Sequence, residues 1–150
     1  MEDDLNVRQA RRSDLREIYL IEVNSFPYPY PIEAFLTFLI LYPQYFLVAE
    51  HNNSIVGYVI GSIDSDGTGH IISLAVHPSY RGKGIGKKLL LTVEKIMKEN
   101  GVHRIKLEVS INNKAALALY KSVGYKVVGM ERSYYPDGSD AYVMFKELSN

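Results

Sequence analysis

The segment Arg81-Gly82-Lys83-Gly84-Ile85-Gly86-Lys87-Lys88 places three glycines and four cations in eight residues, with no acid among them. Glycines allow backbone N–H groups to approach a ligand closely, and a helix beginning there adds partial positive charge. The chemistry implied is binding of a phosphate or pyrophosphate. A Walker A loop needs Gly-x-x-x-x-Gly-Lys followed by Ser or Thr, which no register of the segment supplies. A dinucleotide fingerprint starting at Gly82 finds Lys87 where its third glycine belongs, and its acidic partner would be Glu108, which is mid-strand. A flexible turn whose glycines serve packing is the bland alternative. Other chemistries are missing. The chain has no cysteine, which removes disulfides, thiolate nucleophiles, Cys-based zinc sites and Fe–S clusters. There is no Gly-x-Ser-x-Gly elbow, and His51, His77 and His103 have no ligand spacing, so no metal site is expected.

The elements that must position this turn follow from hydrophobic period. Leu5 to Ala10 reads as a strand, and Ser13-Asp14 as the cap of a helix from Leu15 to about Asn24. Phe26-Pro27-Tyr28-Pro29-Tyr30-Pro31 cannot be helical, because three alternate prolines lack N–H donors and hold the chain extended. Pro31 suits the first turn of a second helix, which stops before Pro43. Tyr45–Glu50 and Ile55–Ile63 read as a hairpin, and His70–Val76 as a fourth strand leading into the glycine turn. Ile85, Leu89, Val93, Ile96 and Met97 form the apolar stripe of the helix that follows. Ile105, Leu107, Val109 and Ile111 alternate with Lys106, Glu108 and Ser110 in a fifth strand, which places Glu108 on its polar face. Asn112-Asn113 opens a short helix to Val123, and Tyr125–Met130 and Ala141–Leu148 complete seven strands and four helices. The fold class is α/β (α+β), a mixed and largely antiparallel seven-stranded sheet flanked by helices.

At 150 residues and 17.0 kDa the chain is expected to form one domain, residues 1–150. Seventeen Lys+Arg balance seventeen Asp+Glu, which argues against nucleic acid or an anionic membrane as partner. The N-terminus is acidic and the longest apolar run, from Ala34 to Tyr42, is far short of the roughly 20 residues of a membrane span. A cytoplasmic location is expected. Aromatics are skewed to twelve Tyr against five Phe and no Trp, and a buried tyrosine needs a partner for its hydroxyl.

The turn also reads as Arg-x-x-Gly-x-Gly, from Arg81, Gly84 and Gly86. Upstream lies Ile71-Ile72-Ser73-Leu74-Ala75-Val76-His77-Pro78-Ser79-Tyr80. Downstream lie Leu107-Glu108-Val109, Asn113, Ala118-Leu119-Tyr120 and Gly124-Tyr125. On these residues the sequence resembles the GNAT superfamily of acetyltransferases, which bind the pyrophosphate of acetyl-CoA with this turn. Within it the chain is most similar to RimI-type and archaeal protein N-terminal acetyltransferases, above all in Tyr134-Tyr135-Pro136-Asp137-Gly138-Ser139-Asp140-Ala141-Tyr142.

The resemblance implies acetyl-CoA as donor and protein or peptide N-termini as acceptor. It implies Glu108 as general base, Tyr120 as the acid that protonates the departing thiolate, and His70 as an auxiliary base. A carboxylate can serve as that base if partial burial raises its pKa. Leu74, Ala75 and Val76 would hold the pantetheine arm and thioester, with the Val76 N–H as oxyanion donor. Arg81, Gly82, Lys83, Gly84, Ile85, Gly86 and Lys87 would hold the pyrophosphate, with Asn113 and Tyr120 also touching the cofactor. Phe26, Pro27, Tyr28 and Tyr30 would form one wall of the acceptor groove, and Tyr134 and Tyr135 the other. Glu22, one turn before the first wall, would sit near the incoming amine. Without cysteine, direct transfer is expected rather than an acyl-enzyme. Two alternatives stay open on the same motifs, a small amine or lysine side chain as acceptor, and a CoA-binding module without catalysis.

Overall fold

The structure is a computed structural model that describes residues 4–148; Met1–Asp3 of the acidic start lie outside them. Seven strands form one sheet in the order β1-β2-β3-β4-β5-β7-β6. They are β1 (Leu5–Gln9), β2 (Phe46–His51), β3 (Ser54–Ile63), β4 (Gly69–Val76), β5 (Arg104–Ser110), β6 (Lys126–Glu131) and β7 (Ala141–Glu147). The helices are α1 (Leu15–Ser25), α2 (Ile32–Leu41), α3 (Ile85–Glu99) and α4 (Lys114–Ser122). All pairings are antiparallel except β4 with β5. Mixed class, strand number and helix number are as the sequence implies. Among the described residues no helix is long and apolar enough to cross a membrane.

Each sheet face is covered by one pair of helices. On one face Ile85, Leu89, Leu90, Val93 and Met97 of α3 pack with Ile105, Leu107, Val109 and Tyr120. On the other Leu15, Ile18 and Ile21 of α1 and Phe35 of α2 cover Phe46, Val48, Tyr58 and Ile60. The β2–β3 connection is tight, with Asn52 and Asn53 at φ 50° and 66°, as a two-residue hairpin turn demands.

Local details depart from the sequence expectations. Ser13-Asp14 does not cap α1 through a side chain. Asp14 instead accepts Arg8 Nη1 at 2.8 Å, Arg8 Nη2 at 3.1 Å and its own turn's Arg11 N–H at 2.7 Å. A bidentate guanidinium is the stronger partner for a carboxylate. Pro31 precedes the first helical residue, since its ψ of 154° is extended. Ile111 leaves β5, whose last residue is Ser110.

Gly69, at the start of β4, faces α3 and β5. A Cβ there would lie 2.8 Å from Met97 Sδ, 3.1 Å from Ile105 Cγ1 and 3.2 Å from Val102 Cγ1. Gly69→Ala is therefore expected to lower stability by about 1–3 kcal/mol through overpacking. Urea denaturation measures it, and a midpoint equal to that of the parent would show that the contact relaxes freely.

Candidate active site

The site begins where two parallel strands part. β4 and β5 pair only at Gly69–Ile105 and His70–Lys106, although β4 runs on to Val76 and β5 to Ser110. Leu74, Ala75 and Val76 therefore lie on one wall of a notch, with the β4 edge that faces it unpaired by β5. Glu108 stands on the other wall.

At the closed end of the notch His70 Nε2 donates to Glu108 Oε1 at 2.7 Å. An ionised carboxylate only accepts, so the proton of that bond sits on Nε2. Lys106 Nζ lies 4.0 Å from the other oxygen, Oε2. Lys106 was not among the expected site residues, yet its signal is plain, since residues i and i+2 of a strand share a face.

Burial pushes the Glu108 carboxyl upward, but the His70 hydrogen bond and charge, Lys106 and the backbone outweigh it. The carboxyl is held below its ordinary value. This corrects the expectation that partial burial raises it. A lowered carboxyl pKa adds stability above the ordinary value of 4.5 and loses it as the pH falls through the folded value. The stability advantage of the parent over Glu108→Gln should thus be full at neutral pH and shrink below about pH 4.5. Urea midpoints measured from pH 7 to 3 read this, and a pH-independent difference would contradict it.

Tyr120 projects from α4 and is 7% exposed. Its ring meets Tyr125 edge-to-face at 5.7 Å. Tyr125 is held in turn by Glu94, whose Oε2 accepts its hydroxyl at 2.9 Å, while Lys146 Nζ donates to Glu94 Oε1 at 2.6 Å. Among the described residues no hydrogen bond engages the Tyr120 hydroxyl. Burial and then Tyr135 push its pKa well above the ordinary tyrosine value, so it stays protonated. A protonated phenol with no partner among the described residues has its O–H available to donate to a ligand.

The two aromatic segments converge on this centre. Burial raises the pKa of Tyr30, Tyr134 and Tyr135, and in each case the Glu108 charge adds to it, taking Tyr134 to about 12. Tyr30 packs edge-to-face on Phe38 at 5.5 Å and Phe35 at 6.5 Å. Tyr134 and Tyr135 meet at 4.9 Å. Their loop is braced locally, with Asp140 Oδ1 accepting Ser133 N–H at 2.8 Å and Ser139 C=O accepting Tyr135 N–H at 3.1 Å. Tyr28 is exposed, like Pro27 beside it, and Phe26 is half-buried against the α1–α2 core. Glu22 is corrected. It is 2% exposed, with its oxygens engaged by Tyr30, Tyr58 and Ser73, so it does not meet an incoming amine.

The other end of the notch is the glycine turn. Gly82 and Gly84 have φ 78° and 83°, and a Cβ at either would meet nothing within 4 Å. L residues rarely adopt that backbone, and the open space marks the side from which a ligand can approach. No side chain caps α3, which leaves its first-turn N–H groups for an anion. Arg81, Lys83, Lys87 and Lys88 are all exposed around it. Gly86 serves packing, since a Cβ there would lie 3.3 Å from Leu119 Cδ2 of α4. Ile85 is buried in the core.

These residues suit a diphosphate. Arg81, though exposed, is held by its neighbours, with Nε donating to Val76 C=O and Nη2 to Ser25 Oγ, both at 3.0 Å. Asn113 Oδ1 caps α4 by accepting Ala116 N–H at 3.1 Å, which leaves Nδ2 as its group for a ligand. A hollow of about 520 Å³ extends from Gly84 along α3 past Lys87, Lys88, Leu91, Thr92 and Lys95. It contains none of Glu108, His70 or Tyr120, and it prolongs the cationic turn rather than forming the reaction centre. Among the described residues no cluster of His, Asp and Glu could hold a metal ion.

Comparison with known proteins identifies the family and the fold. The family model described as "Acetyltransferase (GNAT) family" matches residues 15–125. An uncharacterized N-acetyltransferase of Methanocaldococcus jannaschii is 41% identical over 96% of this chain and 92% of that protein. An N-alpha-acetyltransferase of Sulfurisphaera tokodaii is 37% identical over 97% of this chain and 94% of that one. Among solved structures, Ard1 from Thermoplasma volcanium superposes with a TM-score of 0.95 at 27% identity, covering 98% and 99% of the two chains.

Proposed function

The chain belongs to the acetyltransferase (GNAT) family, an N-acetyltransferase using acetyl-CoA, and from that premise we propose that its acceptor is the N-terminal α-amine of proteins or peptides. The observation that carries this reading is the Glu108–His70 pair, whose carboxylate charge reaches Tyr30, Tyr134 and Tyr135 of two tyrosine-rich segments. The relative of S. tokodaii, by its name an N-alpha-acetyltransferase, supports it.

The acceptor's own protonation favours an α-amine over lysine at neutral pH. A carboxylate held below its ordinary pKa is a weak base. An α-amine, with a pKa near 8, is already partly free at neutral pH, whereas lysine, near 10.4, is almost wholly protonated. An α-amine therefore asks less proton abstraction of Glu108 than lysine does.

In this mechanism acetyl-CoA supplies an acetyl group activated as a thioester. Tyr28, Tyr30, Tyr134 and Tyr135 hold the peptide backbone by hydroxyl and ring, their prolines limiting the motion to be lost on binding. Glu108, directly or through a water, takes the proton that the amine sheds as its nitrogen bonds to the acetyl carbon. His70 keeps the carboxylate aimed and ionised. The Val76 N–H stabilises the carbonyl oxygen as it gains charge. Tyr120 gives its proton to sulfur as the carbon–sulfur bond breaks, and recovers one from solvent. The balance is amine plus acetyl thioester giving amide plus thiol.

The test is incubation with acetyl-CoA and a peptide library varied at its first residue, with the acetylated nitrogen mapped by mass spectrometry. Acetylation at the α-amine is expected. Modification confined to lysine side chains would overturn the acceptor, and binding of acetyl-CoA with no transfer to any amine would overturn catalysis.

A further inference from the structure

Glu22, in the last turns of α1, is a buried carboxylate, and among the described residues no ion pair includes it. Its Oε1 accepts the Tyr58 hydroxyl and, at 3.1 Å, the Ser73 hydroxyl. Its Oε2 accepts the backbone N–H of Tyr30 at 3.1 Å. Burying a carboxylate without a cation is costly unless hydrogen bonds offset it, and here the donors do so from three separate elements. Tyr58 is on β3, Ser73 is on β4 next to Leu74, and Tyr30 is in the Pro/Tyr segment.

That segment is short of anchors. Pro27, Pro29 and Pro31 have no N–H, so Tyr28 and Tyr30 are the only backbone donors between 27 and 31. Glu22 takes one of them. We propose that Glu22 is a positioning residue for the acceptor, tying the wall that contains Tyr30 to the β4 strand that forms the donor's wall. It sets the distance between the two without touching either reactant. This rests on the reading of the Pro/Tyr segment as an acceptor wall.

The tie and its consequence are measured separately. Glu22→Leu keeps volume and removes both acceptors. The Tyr30 amide should then exchange with solvent roughly tenfold faster by NMR. KM for the best library peptide should rise roughly tenfold, with KM for acetyl-CoA unchanged. Glu22→Gln keeps an acceptor for Tyr30 and lets the two hydroxyls turn to accept its amide, so it should remain within about threefold of the parent in both readouts.

A Tyr30 amide as protected in Glu22→Leu as in the parent overturns the tie while leaving the acceptor reading intact. A freed amide with unchanged peptide KM overturns the acceptor wall, and this proposal with it. A parallel rise of both KM values marks a general structural role and overturns it too. Glu22→Gln as impaired as Glu22→Leu would assign the effect to charge, again against the proposal. If Glu22→Leu does not fold, Glu22→Asp keeps the charge but is one methylene too short to reach Tyr30 and both strands. Amide exchange at Tyr30 and the two KM values are then measured on Glu22→Asp, where a freed amide with a raised peptide KM alone supports the tie and any other pattern overturns it.

Discussion

Glu108→Gln is expected to lower kcat by roughly 10²–10⁴-fold while KM for acetyl-CoA stays within about twofold of the parent. The side chain sits on the β5 wall, 2.7 Å from His70 Nε2, whereas the glycine turn proposed for the diphosphate follows β4. Glutamine has the same shape and can still accept from His70 through its amide oxygen, so the architecture of the notch is retained. What disappears is the capacity to take the amine's proton. The acid side of the profile carries further information. Because Glu108 is held below its ordinary value, it remains ionised through the range in which the acceptor amine loses its proton. The activity of the parent should therefore rise with the acceptor's titration rather than with its own. Steady-state rates measured between pH 5.5 and 9 check both points. An unchanged kcat in Glu108→Gln across that range would remove Glu108 as the base.

Tyr120→Phe is the second large effect, expected at roughly 10²-fold in the chemical step with acetyl-CoA affinity preserved. The phenyl ring keeps the edge-to-face contact with Tyr125 at 5.7 Å, so stability should change little and the loss can be assigned to the hydroxyl. The proposed role as proton donor makes a sharper demand. From an acetyl thioester of a more acidic thiol the thiolate departs without protonation, so the penalty of Tyr120→Phe should shrink with such a donor. Single-turnover rates with the two donors measure this. Equal penalties for both would leave Tyr120 as a packing residue rather than an acid.

The roles proposed for both residues come from the resemblance of their motifs. Taken alone, Glu108 is the polar face of an alternating strand, and Tyr120 is an aromatic residue on a short helix. The cationic turn is different, because everything that makes it an anion site is contiguous. Helices, strands and the β2–β3 hairpin were also readable from period and turn residues, with boundaries moved by a residue or two. The misreadings have a common origin. Asp14 was expected to cap α1 and instead accepts Arg8 of β1. Glu22 was expected near the incoming amine and is instead buried against Tyr58 and Ser73. In both cases side chains on strands of the sheet, Arg8 for Asp14 and Tyr58 and Ser73 for Glu22, engage the carboxylate.

By itself, then, the sequence determined the local chemistry. Gly82 and Gly84 permit the left-handed backbone of an anion-binding turn, and three alternate prolines make an extended segment with two amide donors. The missing cysteine excludes a thiol acyl-enzyme. The tertiary structure decided what depends on distance between residues far apart in the chain. It set His70 against Glu108 across 38 residues, and it stopped the β4–β5 ladder after two pairs, opening the notch. It also decided the sign of the Glu108 shift, because burial and charge oppose each other there. Backbone conformation is dictated by each residue and its chain neighbours. Charge interactions are dictated by whichever groups the sheet brings together.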